Sequence, residues 1–198
     1  MTNKSVLVTG ATGFVGSKLT RHLIRIGYDV HILIRPQSDL SSLDSVKGQI
    51  KVHVYGGSLE SLKLILNDVR PSHVFHLASL FLAQHNDSNL DDLLASNITF
   101  STQLVEAMIA ADVKNLINTG TSWQHYEDDG YNPVNLYAAT KQAFESILEY
   151  YVQAHCLKVI TLALFDTYGP GDPRKKILRL LHDISLNQTS LSMSPGEQ

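Results

Sequence analysis

A doubly wound α/β fold, a parallel sheet with helices on both faces, is predicted by three features of this sequence. The first lies near the start. A β-branched run, Val6 to Val8, ends at Gly10, glycines recur at Gly13 and Gly16, and an apolar stripe of Val15, Leu19, Leu23 and Ile26 follows with helical spacing. The second is the alternation of short apolar strands with helical patterns, which implies right-handed β-α-β units. The third is the set of small residues where predicted strands end, Ala78-Ser79 and Gly120-Thr121-Ser122.

The opening segment predicts a phosphate site. Strand, glycine turn and helix aim backbone N–H groups and a positive helix end at an anion. Gly10 permits the tight turn, Gly13 lets the backbone approach a pyrophosphate, and Gly16 lets helix and strand pack closely. The spacing is G-x-x-G-x-x-G rather than the commoner G-x-G-x-x-G, yet the flanking elements stand where a Rossmann-type dinucleotide site needs them.

Composition narrows the class. The chain has 198 residues, 43% hydrophobic, a formal net charge of −3 and one cysteine. That suits one good core and gives no electrostatic footprint for nucleic acid or a polybasic membrane contact. No apolar run reaches the ~18–20 residues of a membrane span. The first strand begins within a few residues, leaving no room for a signal peptide, and a lone Cys156 allows no internal disulfide. A cytoplasmic location is expected. Nine histidines invite a metal, but His73 and His76 lie three apart in a strand with no cysteine or acidic cluster, so no metal is expected.

The remaining elements follow in order. Asp29 to Ile34 is a second buried strand stopped by Arg35-Pro36. A dinucleotide fold commonly has an acid near this point for the ribose hydroxyls; Arg35 instead suits a 2′-phosphate, so NADPH is favoured over NAD. Ser38 to Ser45 is a loop with a short helix. Lys51 to Tyr55 is a third strand, Leu59, Leu62, Leu66 and Val69 mark an amphipathic helix, and His73 to Ser79 is a fourth strand. One long helix is expected over about 89–111, with Asn97 inside it needing water or a partner. Val113 to Thr119 is the fifth strand. Trp123 to Asn132 is a polar loop, and Asn135 caps a helix over about 136–154. Lys158 to Phe165 is the sixth strand, Tyr168 to Pro173 a sharp turn, and Lys175 to Leu186 a last helix before a Ser-rich end.

Tyr137 and Lys141 stand four apart at the start of the 136–154 helix and therefore share a face. A phenol titrates near ~10, and an ammonium beside it would favour the phenolate. Such a pair can give a proton to a carbonyl oxygen while hydride arrives from a nicotinamide, with Thr121 or Ser122 hydrogen-bonding that oxygen. His125 and Tyr126, in the following loop, are within reach of a substrate.

Thr9 to Gly16, His76-Leu77-Ala78-Ser79, Asn97, Tyr137-Ala138-Ala139-Thr140-Lys141 and Tyr168-Gly169-Pro170-Gly171 together resemble the extended short-chain dehydrogenase/reductase family, the NAD-dependent epimerase/dehydratase group. The resemblance implies that Tyr137 is the acid/base, Lys141 holds the nicotinamide ribose, Thr121 takes the Ser/Thr position and Asn97 supports the active-site helix. Cofactor contacts are expected at Gly10, Thr12, Gly13, Phe14, Val15, Gly16, Leu77, Ala78, Ser79, Tyr137 and Lys141, with Arg35 added from its place at the end of the second strand, and substrate contacts at Ser122 and His125 from their place beside and after Thr121. It also implies a nucleotide-sugar substrate and a homodimer through the helices at 89–111 and 136–154, which carry more apolar surface than one sheet face needs.

Within the family, 4,6-dehydratases have Asp-Glu where Ser122-Trp123 stands here, which disfavours dehydration. Residues 118–141 are similar to the CDP-abequose and CDP-paratose synthase type, which reduces the 4-keto group of a CDP-3,6-dideoxyhexulose with NADPH. A NAD-dependent nucleotide-sugar 4-epimerase is the alternative, and a dinucleotide-binding protein without turnover is the alternative of another class. Family chains run roughly a hundred residues further. Residues 1–166 are thus expected to be a cofactor domain and 167–198 the start of a truncated substrate lobe, with Ser194–Gln198 approaching a strand, so the reduction is expected to be impaired in this short chain.

Overall fold

The computed structural model describes residues 4–190 apart from 129, 173, 175 and 189. It divides into two compact units, Met1–Phe165 and Asp166–Gln198. The first unit holds one six-stranded sheet of β1 (Ser5–Thr9), β2 (Asp29–Ile34), β3 (Ile50–Val54), β4 (His73–His76), β5 (Asn115–Thr121) and β6 (Lys158–Leu164). The strand order is β3-β2-β1-β4-β5-β6 and each pairing is parallel. The predicted doubly wound fold is therefore present. The chain works outward from β1 through β3 and then returns to lay β4 on the other side of β1, opening a crevice at the strands' carboxyl ends.

Burial explains the strand sequences. The central β1 is covered on both faces and reads as a continuous apolar run, with Val6 and Val8 in one core and Leu7 in the other. On one side Val6, Val8, Leu23, Val30, Ile32 and Leu43 pack together. On the other, Leu7, Leu62, Leu66, Leu104, Met108 and Phe144 form the larger core. The edge strand β6 leaves Ile160 and Leu162 exposed.

The helices depart from expectation in three places. Helix α1 (Phe14–Arg25) buries only part of the stripe of Val15, Leu19, Leu23 and Ile26: Leu23 is buried, Val15 and Leu19 are half-buried and Ile26 is exposed, while Gly16, Ser17 and Thr20 are buried beside them. The helix lies so close to the glycine turn that small side chains face inward. The long helix expected over 89–111 is interrupted: α3 (Leu90–Leu94) leads through a π turn (Ala95–Thr99) into α4 (Phe100–Ala110). The expected apolar surplus on α3, α4 and α5 (Leu136–His155) is small, because Leu104, Val105, Met108, Phe144, Leu148 and Tyr151 enter the core beside α2 (Leu59–Val69), leaving Leu90, Leu94 and Tyr150 exposed. Elsewhere the boundaries agree within about two residues, apart from the shorter β4 and the 3-10 segment at Ser41–Gln49.

In the second unit Asp172 accepts from Arg174 Nε at 2.8 Å and Nη2 at 2.7 Å, and α6 spans Ile177–Asn187. The expected helix start at Lys175, Pro173 of the turn and the strand approach at Ser194–Gln198 lie outside the described residues.

Candidate active site

Gly10 has φ +69°, and a Cβ there would lie 2.6 Å from Ala78 N. A Cβ on Gly16 would collide with Gly10 O. These two glycines let α1 and the end of β4 close on the turn. Gly13 is the helix N-cap, brings no side chain to cap the first turn, and no acid stands in that turn. An uncapped, uncharged helix start beside a glycine cradle fits the diphosphate of a dinucleotide. Thr12 O accepts from Ser42 Oγ at 3.1 Å, and Arg21 Nη1 donates to Ser42 O at 2.6 Å, folding the segment after β2 back onto the turn. Arg35 is exposed just beyond β2. Its N–H donates to Ser38 Oγ, and among the described residues its guanidinium has no hydrogen-bond or ion-pair partner.

The end of β4 is set by a buried polar chain. Thr9 Oγ1 accepts from Ala78 N at 3.1 Å and lies 2.8 Å from His76 Nδ1, while His76 Nε2 lies 2.9 Å from Ser101 Oγ. Burial, aided by the nearby Lys141 charge, pushes His76 down to about 3, so the ring is neutral. It serves as a satisfied core histidine, fixing the height of Leu77 and Ala78 above the sheet.

Tyr137 and Lys141 are carried by α5, whose predicted cap forms: Asn135 Oδ1 accepts from Ala138 N at 2.9 Å. Lys141 is only 4% exposed. Burial lowers it to about 8, and the Glu145 carboxylate one turn later works in the opposite direction. The Tyr137 phenol is held above its ordinary value by burial, opposed by a hydrogen bond with Ser79. The expected lowering by Lys141 is not among the influences on the phenol; desolvation dominates.

Asn97 occupies the π turn and is 2% exposed. Its Oδ1 accepts from Leu80 N at 2.8 Å and Ser79 Oγ at 3.1 Å; its Nδ2 donates to Leu80 O and Thr140 Oγ1, each at 3.0 Å. A residue unfavourable in a regular helix sits where the helix widens, a common use of π turns.

Thr121 ends β5 and is buried; its Oγ1 accepts from Trp123 N at 3.3 Å. Its own N–H donates to Gln124 Oε1 at 2.8 Å. The buried Gln124 amide then donates to Gln142 Oε1 at 3.0 Å and Glu145 Oε1 at 2.9 Å. Gly120 makes room for this group, since a Cβ would lie 2.8 Å from Glu145 Oε1.

Ser79, Asn97 and Tyr137 are thus brought together, Thr121 is coupled to α5 through Gln124, and Lys141 lies within electrostatic reach of His76 and Glu145. His125 is exposed and its Nδ1 lies 2.7 Å from Gly130 O, held within its own loop. Ser122 stands at the start of the turn that Thr121 caps. Sequence reasoning counted Thr9 in the glycine motif without giving it a role, and missed Gln124 and Glu145. Glu145 was findable as an acid four residues after Lys141; Gln124, in a segment read as a polar loop, carried no such signal.

Comparison with known proteins agrees with this geometry. A CDP-abequose synthase from Yersinia pseudotuberculosis is 28% identical over 196 residues, covering 98% of this chain and 66% of that protein. UDP-glucuronate 4-epimerase 1 of Arabidopsis thaliana is 32% identical over 191 residues, covering 84% of this chain and 43% of that protein. Among solved structures, UDP-glucose 4-epimerase from Thermotoga maritima with UDP-glucose superposes with a TM-score of 0.84 at 25% identity, over 98% of this chain and 67% of that one. The chain spans 57–66% of the length of the CDP-abequose synthases it matches. No helix among the described residues is long and apolar enough to cross a membrane. Residues 6–198 match the NAD dependent epimerase/dehydratase family, and with its sheet order, glycine turn and helix-borne Tyr137 and Lys141 the chain belongs to that family.

Proposed function

We propose that this chain supplies the cofactor-binding and proton-donating part of an NADPH-dependent reductase, acting on the 4-keto group of a nucleotide-activated deoxysugar of the CDP-3,6-dideoxyhexulose type. Tyr137 on the same helix as a buried Lys141, at the crevice above β4 and β5, carries the reading. Arg35 in place of an acid beyond β2 supports NADPH, and similarity to CDP-abequose synthases supports the substrate class.

NADPH held by the glycine turn, Arg35 and Lys141 would supply hydride to the carbonyl carbon. Tyr137 gives its phenolic proton to the carbonyl oxygen; burial keeps that proton in place at neutral pH, the state a general acid requires. Lys141 holds the nicotinamide ribose and offsets the charge left on the phenolate. Thr121 donates its hydroxyl hydrogen to the same oxygen and fixes its direction. Gly10, Thr12, Gly13, Phe14, Val15 and Gly16 take the diphosphate, Leu77, Ala78 and Ser79 line the crevice, and Arg35 pairs with the 2′-phosphate. Asn97 positions this group from below. Ser122 and His125 face the sugar nucleotide, and residues 167–198 belong to a substrate lobe. A second copy of the chain docks through the helices at 89–111 and 136–154, using Leu90, Leu94 and Tyr150.

An enzyme that carries this chain together with a full substrate lobe, incubated with NADPH and a CDP-4-keto-3,6-dideoxyhexose, is expected to consume cofactor and yield the alcohol, whereas turnover by residues 1–198 alone is expected to be impaired. Tyr137→Phe is expected to abolish that consumption while dinucleotide binding persists. Interconversion of 4-epimers with NAD retained would replace this reading by the epimerase one, which the NAD-bound 4-epimerases among the structural neighbours favour.

A further inference from the structure

The geometry points to Phe81 and Trp123 as an apolar wall beside Tyr137, against which the deoxygenated carbons of the sugar are seated; this inference rests on the deoxysugar reading above. Phe81 is 53% exposed, although it sits at the rim of a site otherwise built from polar groups. Its ring meets Tyr137 edge-on at 5.0 Å and leans on Trp123 at 5.6 Å. A single exposed phenylalanine is ordinary. This one is held in place from both sides. Leu80, its neighbour, exchanges both backbone groups with buried Asn97, at 2.8 and 3.0 Å. Ala83 O accepts from Asn135 Nδ2 at 3.0 Å, tying the same segment to the cap of α5. Trp123 is fixed by Val134 N donating to its carbonyl at 3.0 Å and by its own N–H donating to Thr121 Oγ1.

The wall therefore keeps its place relative to the Tyr137 phenol that would protonate the ketone. An aromatic face is at most a weak hydrogen-bond acceptor, so a hydroxyl pressed on it loses its water with little replacement, whereas a CH₂ or CH₃ gains from leaving water. A carbonyl oxygen presented to Tyr137 brings neighbouring ring carbons near Phe81. Deoxygenated positions are accepted there and hydroxylated ones rejected. Pockets that discriminate in this way reach factors of about ten to a hundred.

Trp123 is the chain's sole tryptophan, so its emission reports on the wall directly. The experiment titrates the chain, loaded with NADP⁺, with a CDP-3,6-dideoxyhexose, CDP-glucose and CDP. The dideoxy ligand is expected to alter Trp123 emission and to bind about tenfold more tightly than CDP-glucose. Phe81→Ser is expected to bring the two affinities together and leave CDP and NADP⁺ affinities unchanged; Phe81→Leu, which keeps an apolar surface, is expected to retain most of the preference. NADP⁺ titration checks that each variant folds, and Phe81→Leu against Phe81→Asn, which replaces the apolar face by a hydrogen-bonding group, decides the matter if the Ser variant does not. No response of Trp123 emission to the dideoxy ligand, equal affinities in the parent, or a preference that survives Phe81→Ser or Phe81→Asn undiminished, overturns the wall. The ligands are product-like and the cofactor oxidised, so this outcome is read separately from the reductase assay: a chain that reduces the deoxyketone yet ignores Phe81 refutes the wall alone.

Discussion

Asn97 Nδ2 donates to Thr140 Oγ1 at 3.0 Å, and Thr140 Oγ1 donates in turn to the Tyr137 carbonyl at 2.7 Å. The π turn of one helix thereby grips the turn of α5 that lies between Tyr137 and Lys141. With Leu80 and Ser79 on its other bonds, Asn97 uses both amide hydrogens and its oxygen twice.

Removing that carboxamide leaves the Leu80 backbone groups without their partner, and each orphaned polar group costs ~1–3 kcal/mol. Asn97→Ala is therefore expected to lower unfolding free energy by about 2–4 kcal/mol. A urea titration reads this as a lower midpoint at unchanged slope. A loss under about 0.5 kcal/mol would mean that water replaces the amide.

Gln124 gives both amide hydrogens to α5 while accepting from Thr121 N. Gln124→Glu places a second carboxylate beside Glu145, and two such groups cannot both ionise cheaply. The variant's melting temperature, relative to the parent, is expected to fall above neutral pH and recover toward pH ~5 as the pair takes up a proton. A pH-independent difference would show that the two carboxylates separate.

Arg35 is the candidate reader of a 2′-phosphate. NADPH is expected to bind at least about tenfold more tightly than NADH, and Arg35→Asp to narrow or reverse the gap by removing a forked donor and adding repulsion. Fluorescence titration of both cofactors checks this; equal affinities in the parent would remove the basis for NADPH.

Two buried bases make stability depend on pH in the same sense. Lys141 titrates near 8 when folded, against 10.5 ordinarily. Below pH 8 both states are protonated and the folded chain bears the full burial cost. Between 8 and 10.5 only the unfolded chain keeps the proton, so that cost, about 3 kcal/mol, is relieved as pH rises. His76 titrates near 3 against 6.5, so the unfolded state takes up its proton first and stability falls as pH drops from 6.5 toward 3. Lys141→Met is expected to stabilise the chain at neutral pH and abolish the alkaline rise; His76→Gln is expected to flatten the acid limb. Urea midpoints across pH measure both.

By itself the sequence determined the parallel α/β plan, the glycine turn, the cap at Asn135 and the four-residue spacing of Tyr137 and Lys141 on one helix. Each follows from local rules: strand and helix periods, the φ of +69° that Gly10 tolerates, and the four-residue repeat of a helix face. Tertiary structure decided what those residues meet. Asn97 and Thr140 lie 43 positions apart, and only docking of α5 on the π turn makes them partners. The apolar stripe of α1 is visible locally, while the close approach that demands Gly16, and the burial of Ser17 and Thr20 beside Leu23, is not. Lys141 illustrates the division: its spacing from Tyr137 is written in the chain, but its proton affinity comes from desolvation, a property of everything packed around it.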